Sequence, residues 1–186
     1  PIHSLVAFIC QGVSTPTLLI DGNVSPHTQS LTPEQIQVIK QADLVIWIGP
    51  NYETFWAQTL AKQVPTQKLL TLINDKDLTR LPYRQKCHLP TGHQHSFHDA
   101  HDHFTDGHIW LDLNNARTIA KAITRKLSEI DPTHKSIFET NLQNLLKVLS
   151  VLEEDLKQQI SIVVKKTYII YHDGLQYFDK FFGLQM

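Results

Sequence analysis

Between residues 135 and 164 the apolar positions Phe138, Leu142, Leu145, Leu149, Leu152, Leu156, Ile160 and Val163 recur every three or four residues. That spacing lays one apolar stripe along a single side of an α-helix. At 1.5 Å per residue such a helix runs about 45 Å, longer than one small lobe covers. The spacing predicts a spine joining two lobes, and the rest of the chain must supply what packs on it.

The segments before the spine alternate between the two periods. PIHSLVAFICQGV puts Ile2, Leu5, Val6, Ile9 and Val13 on one helical face, with Gly12 as a stop signal, and TPTLLID reads as a short strand. LTPEQIQVIKQA opens a helix at Thr32, with Pro33 in the first position and Gln35 in the third, close to a capping box. ADLVIWIG is a continuous apolar run, as expected of a parallel strand buried on both faces. NYETFWAQTLAKQV is expected to be helical with Tyr52, Phe55, Trp56, Thr59 and Leu60 inward, and QKLLTLI to be the next strand. HIWLD reads as a short strand-like start to a helix carrying Ala116, Ile119, Ala120, Ile123 and Leu127, broken at Asp131-Pro132. After the spine, KTYIIYHDG reads as a strand ending in a turn and LQYFDKFFGLQM as a helix. Strands alternating with helices imply an α/β fold with a mostly parallel sheet. The expected division is an N-terminal α/β lobe over 1–134 with a histidine-rich loop at about 85–107, a connecting helix over 135–165, and the start of a C-terminal lobe over 166–186, left incomplete.

A formal net charge of -1 creates no field of either sign, which argues against nucleic acid or an anionic membrane as partner. No apolar run reaches bilayer-spanning length, and Pro1 does not begin a signal-peptide pattern. The expectation is a cytosolic chain, or an exported one whose export segment has been removed. Cys10 and Cys87 are too few to staple a small domain, and lone buried cysteines are the commoner outcome. Trp47, Trp56 and Trp110 read as core aromatics.

Histidine is the departure from average usage. Seven of the eleven (His88, His93, His95, His98, His101, His103 and His108) fall in one window where neither period holds, a pattern that suggests metal binding. Three histidines, His108 of that window and two outside it, share a different context: His27 in SPHT, His108 in DGHIWLD and His172 in YHDG each sit in or beside a loop next to a strand-like segment. Ligands of α/β sheets bind beyond the carboxyl ends of strands. A single loop histidine is more often structural than a ligand, whereas three in matching contexts can converge on one site. Two other classes compete. HQHSFH approaches the HxHxDH signature of dinuclear zinc hydrolases, but Phe97 stands at the aspartate position and there is no HExxH. A metal-storage or chaperone module would use the tract alone.

The ordered set PHxxxLTPxQ, ADLVIWIGPxxExF, GHxHxxHDxHxHxxDGHIWLDLxNA and YHDGLQYFDKFFGL resembles the metal-binding solute receptors of ABC importers, in particular their zinc-specific, ZnuA-like branch. The resemblance runs from residue 1 to 186. It implies a bilobed metal-receptor fold, each lobe a mostly parallel sheet flanked by helices and the two joined by a long spine helix. It further implies a periplasmic, exported protein that is not an enzyme, holds Zn(II) in the cleft, and delivers it to a membrane permease. Carried over position by position, the cleft ligands are His27, His108 and His172. The related manganese receptors are similar but place a carboxylate where His172 stands, and a third imidazole favours zinc over the harder Mn²⁺. The tract histidines, His93, His95, His98, His101 and His103, become an accessory collector or sensor of zinc. Glu53 matches the glutamate of the GPxxExF pattern, either as a solvated helix residue or as a hydrogen-bond partner of a ligating imidazole. Asp106 and Asp112 flank His108 and invite the same two readings. In some relatives a glutamate precedes the first ligand where Pro26 stands here. In others an aspartate late in the second lobe completes the site, and the resemblance places that residue, like a first strand before PIHS, outside this sequence.

Overall fold

The computed structural model describes residues 1–20, 22, 25, 30–84, 105–170 and 172–184. Helix α1 (Ile2–Ile9) is followed by a turn in which Gly12 adopts φ +80°, a conformation glycine reaches without a Cβ penalty. Helix α2 (Pro33–Gln41) carries the expected cap in full: Thr32 Oγ1 accepts from Gln35 N–H, and Gln35 Oε1 accepts from Thr32 N–H. Strand β1 (Val45–Trp47) pairs in parallel with β2 (Leu69–Thr71), with Val45 opposite Leu69 and Trp47 opposite Thr71. Between them runs α3 (Ala57–Gln63) and a short 3-10 turn.

The apolar run around β1 serves two cores, one per face of the strand pair. Val45 and Trp47 pack with Ile39, Trp56, Leu60 and Val64, whereas Ile46 and Ile48 pack with the larger cluster of Val6, Ile9, Leu72 and Ile109. Alternation across the pleat explains why no polar residue is tolerated between positions 44 and 48.

Helix α4 (Leu113–Ile130) buries Ala116, Ile119, Ala120 and Ile123 in the larger core. Asp112 caps it, its Oδ1 accepting from Asn114 and Asn115 N–H. The chain reverses at Asp131-Pro132 and runs back as α5 (Lys135–Ile160), with Arg117 near the start of α4 paired to Glu153 near the end of α5 at 2.6 Å. The 26 residues of α5 span about 39 Å against about 27 Å for the 18 of α4. The spine helix thus overhangs its partner, and its stripe changes character along its length: Phe138, Leu145 and Leu149 are buried, while Leu152 is 42% exposed. Helix α6 (Gln176–Phe182) ends on Gly183 at φ +68° and sends Tyr177 into the same core as α1, α4 and α5.

Several expected elements differ. Residues 16–20 and 166–170 hold no strand, because a β-prone stretch becomes a strand only where another strand pairs with it. HIWLD forms a 3-10 turn over Ile109–Leu111 instead of a strand-like start, since the Asp112 cap fixes the α4 terminus directly after it. The helix expected from residue 51 begins only at Ala57; residues 50–56 are turns that bring Glu53 inside and leave Phe55, expected inward, 57% exposed. Helix α5 stops at Ile160, short of Val164. Among the described residues no helix is long and apolar enough to cross a membrane.

Candidate metal centre

His108 and His172, 64 positions apart in sequence, meet where the loop before α4 faces the loop before α6. Their Nε2 atoms lie 3.3 Å apart and their ring centroids 5.2 Å apart. His108 is buried, and His172 is exposed. Zinc–imidazole bonds of 2.0–2.1 Å at a tetrahedral angle place two ligating nitrogens about 3.3–3.4 Å apart, so this pair has the spacing of one tetrahedral edge.

The orientation of His108 is fixed from behind. Asp106, fully buried, accepts at Oδ1 from both the His108 backbone N–H (3.0 Å) and the ring Nδ1–H (2.6 Å). Burial pushes the Asp106 carboxyl up, but the hydrogen bonds from the His108 ring and backbone and from Gln176 outweigh it, and the group ends below the usual carboxylate range. A carboxylate is acceptor-only, so Nδ1 carries the proton and Nε2 presents the lone pair toward His172. Gln176 donates through Nε2 to the other oxygen, Asp106 Oδ2 (2.7 Å), and to Pro82 O (3.0 Å). Tyr177 Oη donates to Asp106 O (2.9 Å) while accepting from Leu81 N–H (2.9 Å); burial pushes its hydroxyl up to about 12, which keeps it a donor.

Aromatic rings wall the imidazole. Tyr52 meets it edge-on at 5.1 Å, and Trp110, expected to be simple core, lies 5.5 Å from it. Two glycines permit this closeness. A Cβ on Gly107 would stand 2.6 Å from Tyr52 Cβ and Cδ2, and one on Gly174 would stand 3.2 Å from both His108 Nε2 and His172 Cδ2. Behind the segment that carries His172, Arg84 pairs with Asp179 Oδ2 at 2.6 Å and lies 3.5 Å from Asp173 Oδ1, while the Tyr168 hydroxyl donates to Asp179.

Glu53 is not a solvated helix residue, and among the described residues no imidazole bonds it. It is buried, and its carboxylate accepts from the backbone N–H groups of Ile48 (3.2 Å) and Gly49 (3.0 Å) at the end of β1. Burial raises its carboxyl to about 7 against the opposing pull of those backbone donors. Asp112 serves as a helix cap, whereas Asp106 is the hydrogen-bond partner of the imidazole. His27 and the tract histidines His93, His95, His98, His101 and His103 lie outside the described residues, as does Cys87. Among the described residues, no three His, Cys, Asp or Glu side chains gather around one point. Gln176 and Tyr52 carry no sequence signal of a role at the site; only the fold brings them to His108.

The whole sequence, residues 1–186, matches the family described as ZnuA, zinc-uptake complex component A, periplasmic. The chain belongs to the ZnuA family. The high-affinity zinc uptake system protein ZnuA of Brucella abortus is 31% identical over 220 aligned residues, covering 100% of this chain and 63% of that protein. A ZnuA crystal structure superposes with a TM-score of 0.81 at 24% identity, covering 99% of this chain and 65% of that one. Zn(II)-bound AdcA from Streptococcus pneumoniae gives a TM-score of 0.77 at 22% identity, covering 100% of this chain and 36% of that one. The architecture is that of the bilobed metal receptors, a parallel sheet with flanking helices and a long connecting helix. The chain spans about three fifths of the length of the curated ZnuA proteins it matches.

Proposed function

We propose that this chain forms the zinc-binding part of a periplasmic receptor that captures Zn(II) and passes it to the permease of an ABC importer. The observation that carries the reading is the His108–His172 pair, one tetrahedral edge wide, with Asp106 holding the first imidazole by Nδ1. Neutral imidazole suits a borderline-soft ion, and a carboxylate behind the ligand raises its basicity. His27 supplies the third nitrogen, by the match of its PHxxxLTPxQ motif to the family. The relatives are named for zinc uptake, which supports zinc as cargo and a transport role over a catalytic one.

The division of labour follows the sequence. Residues 1–134 form the first lobe, 135–165 the connecting helix, and 166–186 the first part of the second lobe, which carries His172. Zinc held between His108 and His172 ties the two together, and release requires them to part by a small movement. The histidines of the 85–107 segment act as an accessory collector of zinc beside the cleft.

Zinc titration of single variants tests the reading. His27→Ala, His108→Ala and His172→Ala should each lower tight zinc affinity by about tenfold or more, while single substitutions in the tract leave it in place. Tight binding that survived all three and disappeared with the tract would make the chain a storage module. Zinc-dependent ester or lactam hydrolysis lost with His95→Ala would make it an enzyme.

A further inference from the structure

Gln176 is a side chain without ligand chemistry of its own, yet each of its amide N–H bonds is spent near the metal centre. It is 6% exposed, stands at the first position of α6, and lies four residues after His172. One N–H reaches Pro82 O at 3.0 Å and the other Asp106 Oδ2 at 2.7 Å. With Oδ1 of Asp106 committed to the His108 backbone and ring, the carboxylate is held at both oxygens and cannot rotate about its own bond.

We propose that Gln176 is a positioning residue for zinc binding, locking the Asp106 carboxylate so that His108 Nε2 meets His172 Nε2, and thereby joining the two ligand segments through their second layer. The proposal rests on the zinc-site reading above. The joint is specific: Gln176 belongs to the segment that bears His172, Asp106 to the one that bears His108, and the two side chains are 70 residues apart. A displacement of α6 would therefore move His172 directly and loosen His108 through Asp106. Zinc would bind tightly only with the joint formed, and parting of the segments would weaken both ligands together. The bond to Pro82 O extends the joint to the strand-like bridge of Pro82 with Thr105, immediately before Asp106.

The experiment is a double-mutant cycle on the intact receptor, with tight zinc affinity measured by competition against a chromophoric chelator. Gln176→Met keeps the volume and removes both donors; Asp106→Asn removes the carboxylate. Outer partners of metal ligands typically contribute about 10- to 100-fold in affinity. Gln176→Met is expected to weaken zinc binding about tenfold, Asp106→Asn at least as much, and the double variant no more than Asp106→Asn alone, since one acts through the other. The ¹⁵N shifts of the His108 ring supply a readout that mere stability would not move: in Gln176→Met the Nδ1–H tautomer should lose population. Affinity and tautomer unchanged in a folded Gln176→Met protein, or losses that multiply in the double variant, overturn the positioning role. His108→Ala run beside them separates the two ideas, because its failure to lower affinity sinks the zinc site itself, whereas its success with an inert Gln176→Met sinks only the joint.

Discussion

The Nε2 atoms of His108 and His172 lie 3.3 Å apart although the residues come from loops separated by the whole of α4 and α5. That proximity is maintained by contacts on every side of His108: Asp106 behind it, Tyr52 and Trp110 against the ring, and Gly174 beneath both imidazoles. The surroundings of the pair, more than the pair itself, give the testable consequences.

Gly107 is the tightest of these contacts. A methyl there would stand 2.6 Å from two carbons of Tyr52, far inside van der Waals distance, and the ring can retreat only by leaving His108. Overpacking of this kind costs about 1–3 kcal/mol. Gly107→Ala should lower unfolding free energy by that amount in a denaturant titration, while Gly22→Ala, whose added methyl meets nothing within 4 Å, should change it by far less. Equal effects of the two would mean that Tyr52 does not hold the position described.

Glu53 makes stability depend on pH. Its carboxyl is raised from 4.5 to about 7 in the folded protein, chiefly by burial. A folded value above the unfolded one means the native state binds the proton more tightly, so the contribution is complete below about pH 4.5 and lost as pH rises through about 7. At about 1.36 kcal/mol per unit the loss is on the order of 3 kcal/mol. The difference in unfolding free energy between the parent and Glu53→Gln should therefore slope over pH 4.5–7 and flatten above it; parallel curves across that range would show the carboxyl titrating at its ordinary value.

Much of the scaffold was legible because its signals are local. Thr32 and Gln35 announce a cap that needs only four residues, and the 44–48 run announces a two-faced strand because nothing polar interrupts it. The stretches 16–20 and 166–170 misled for the complementary reason: their composition favours a strand, but strands require a partner and the sequence does not state which one. The site divides in the same way. His108 and His172 stood out by loop context, and Asp106 by lying two residues from His108. Gln176 and Tyr52 did not, since their roles exist only once segments 70 and 56 positions away have packed against them.

Arg84 holds the segment leading into the histidine tract against the segment carrying His172. It bonds Asp179 Oδ2 at 2.6 Å and faces Asp173 Oδ1 at 3.5 Å, and Asp179 is only 4% exposed. Arg84→Met would leave that carboxylate with the Tyr168 hydroxyl and without its cation. Breaking a hydrogen bond to a buried charge costs about 1.5–3 kcal/mol. Amide exchange across α6 should accelerate in this variant, with exchange in the α4 core unchanged; Arg84→Met together with Asp179→Asn should recover part of the loss. No change in α6 exchange would leave Arg84 a surface ion pair of little consequence.

Gly174 separates stability from binding most cleanly. An added Cβ would meet His108 Nε2 and His172 Cδ2 at 3.2 Å each, tighter than ordinary contact but not a clash with backbone. Each imidazole yields by turning a few tenths of an ångström, which the exposed His172 does at little cost to folding. The same movement is expensive to a metal, because a tetrahedral edge tolerates little error and the nitrogens would no longer be about 3.3 Å apart. Gly174→Ala should therefore weaken zinc binding about tenfold while moving the apo-protein's melting temperature by no more than a few degrees. The opposite pattern, an intact affinity with a large loss of stability, would mean that the imidazoles approach zinc from a geometry in which Gly174 has no part.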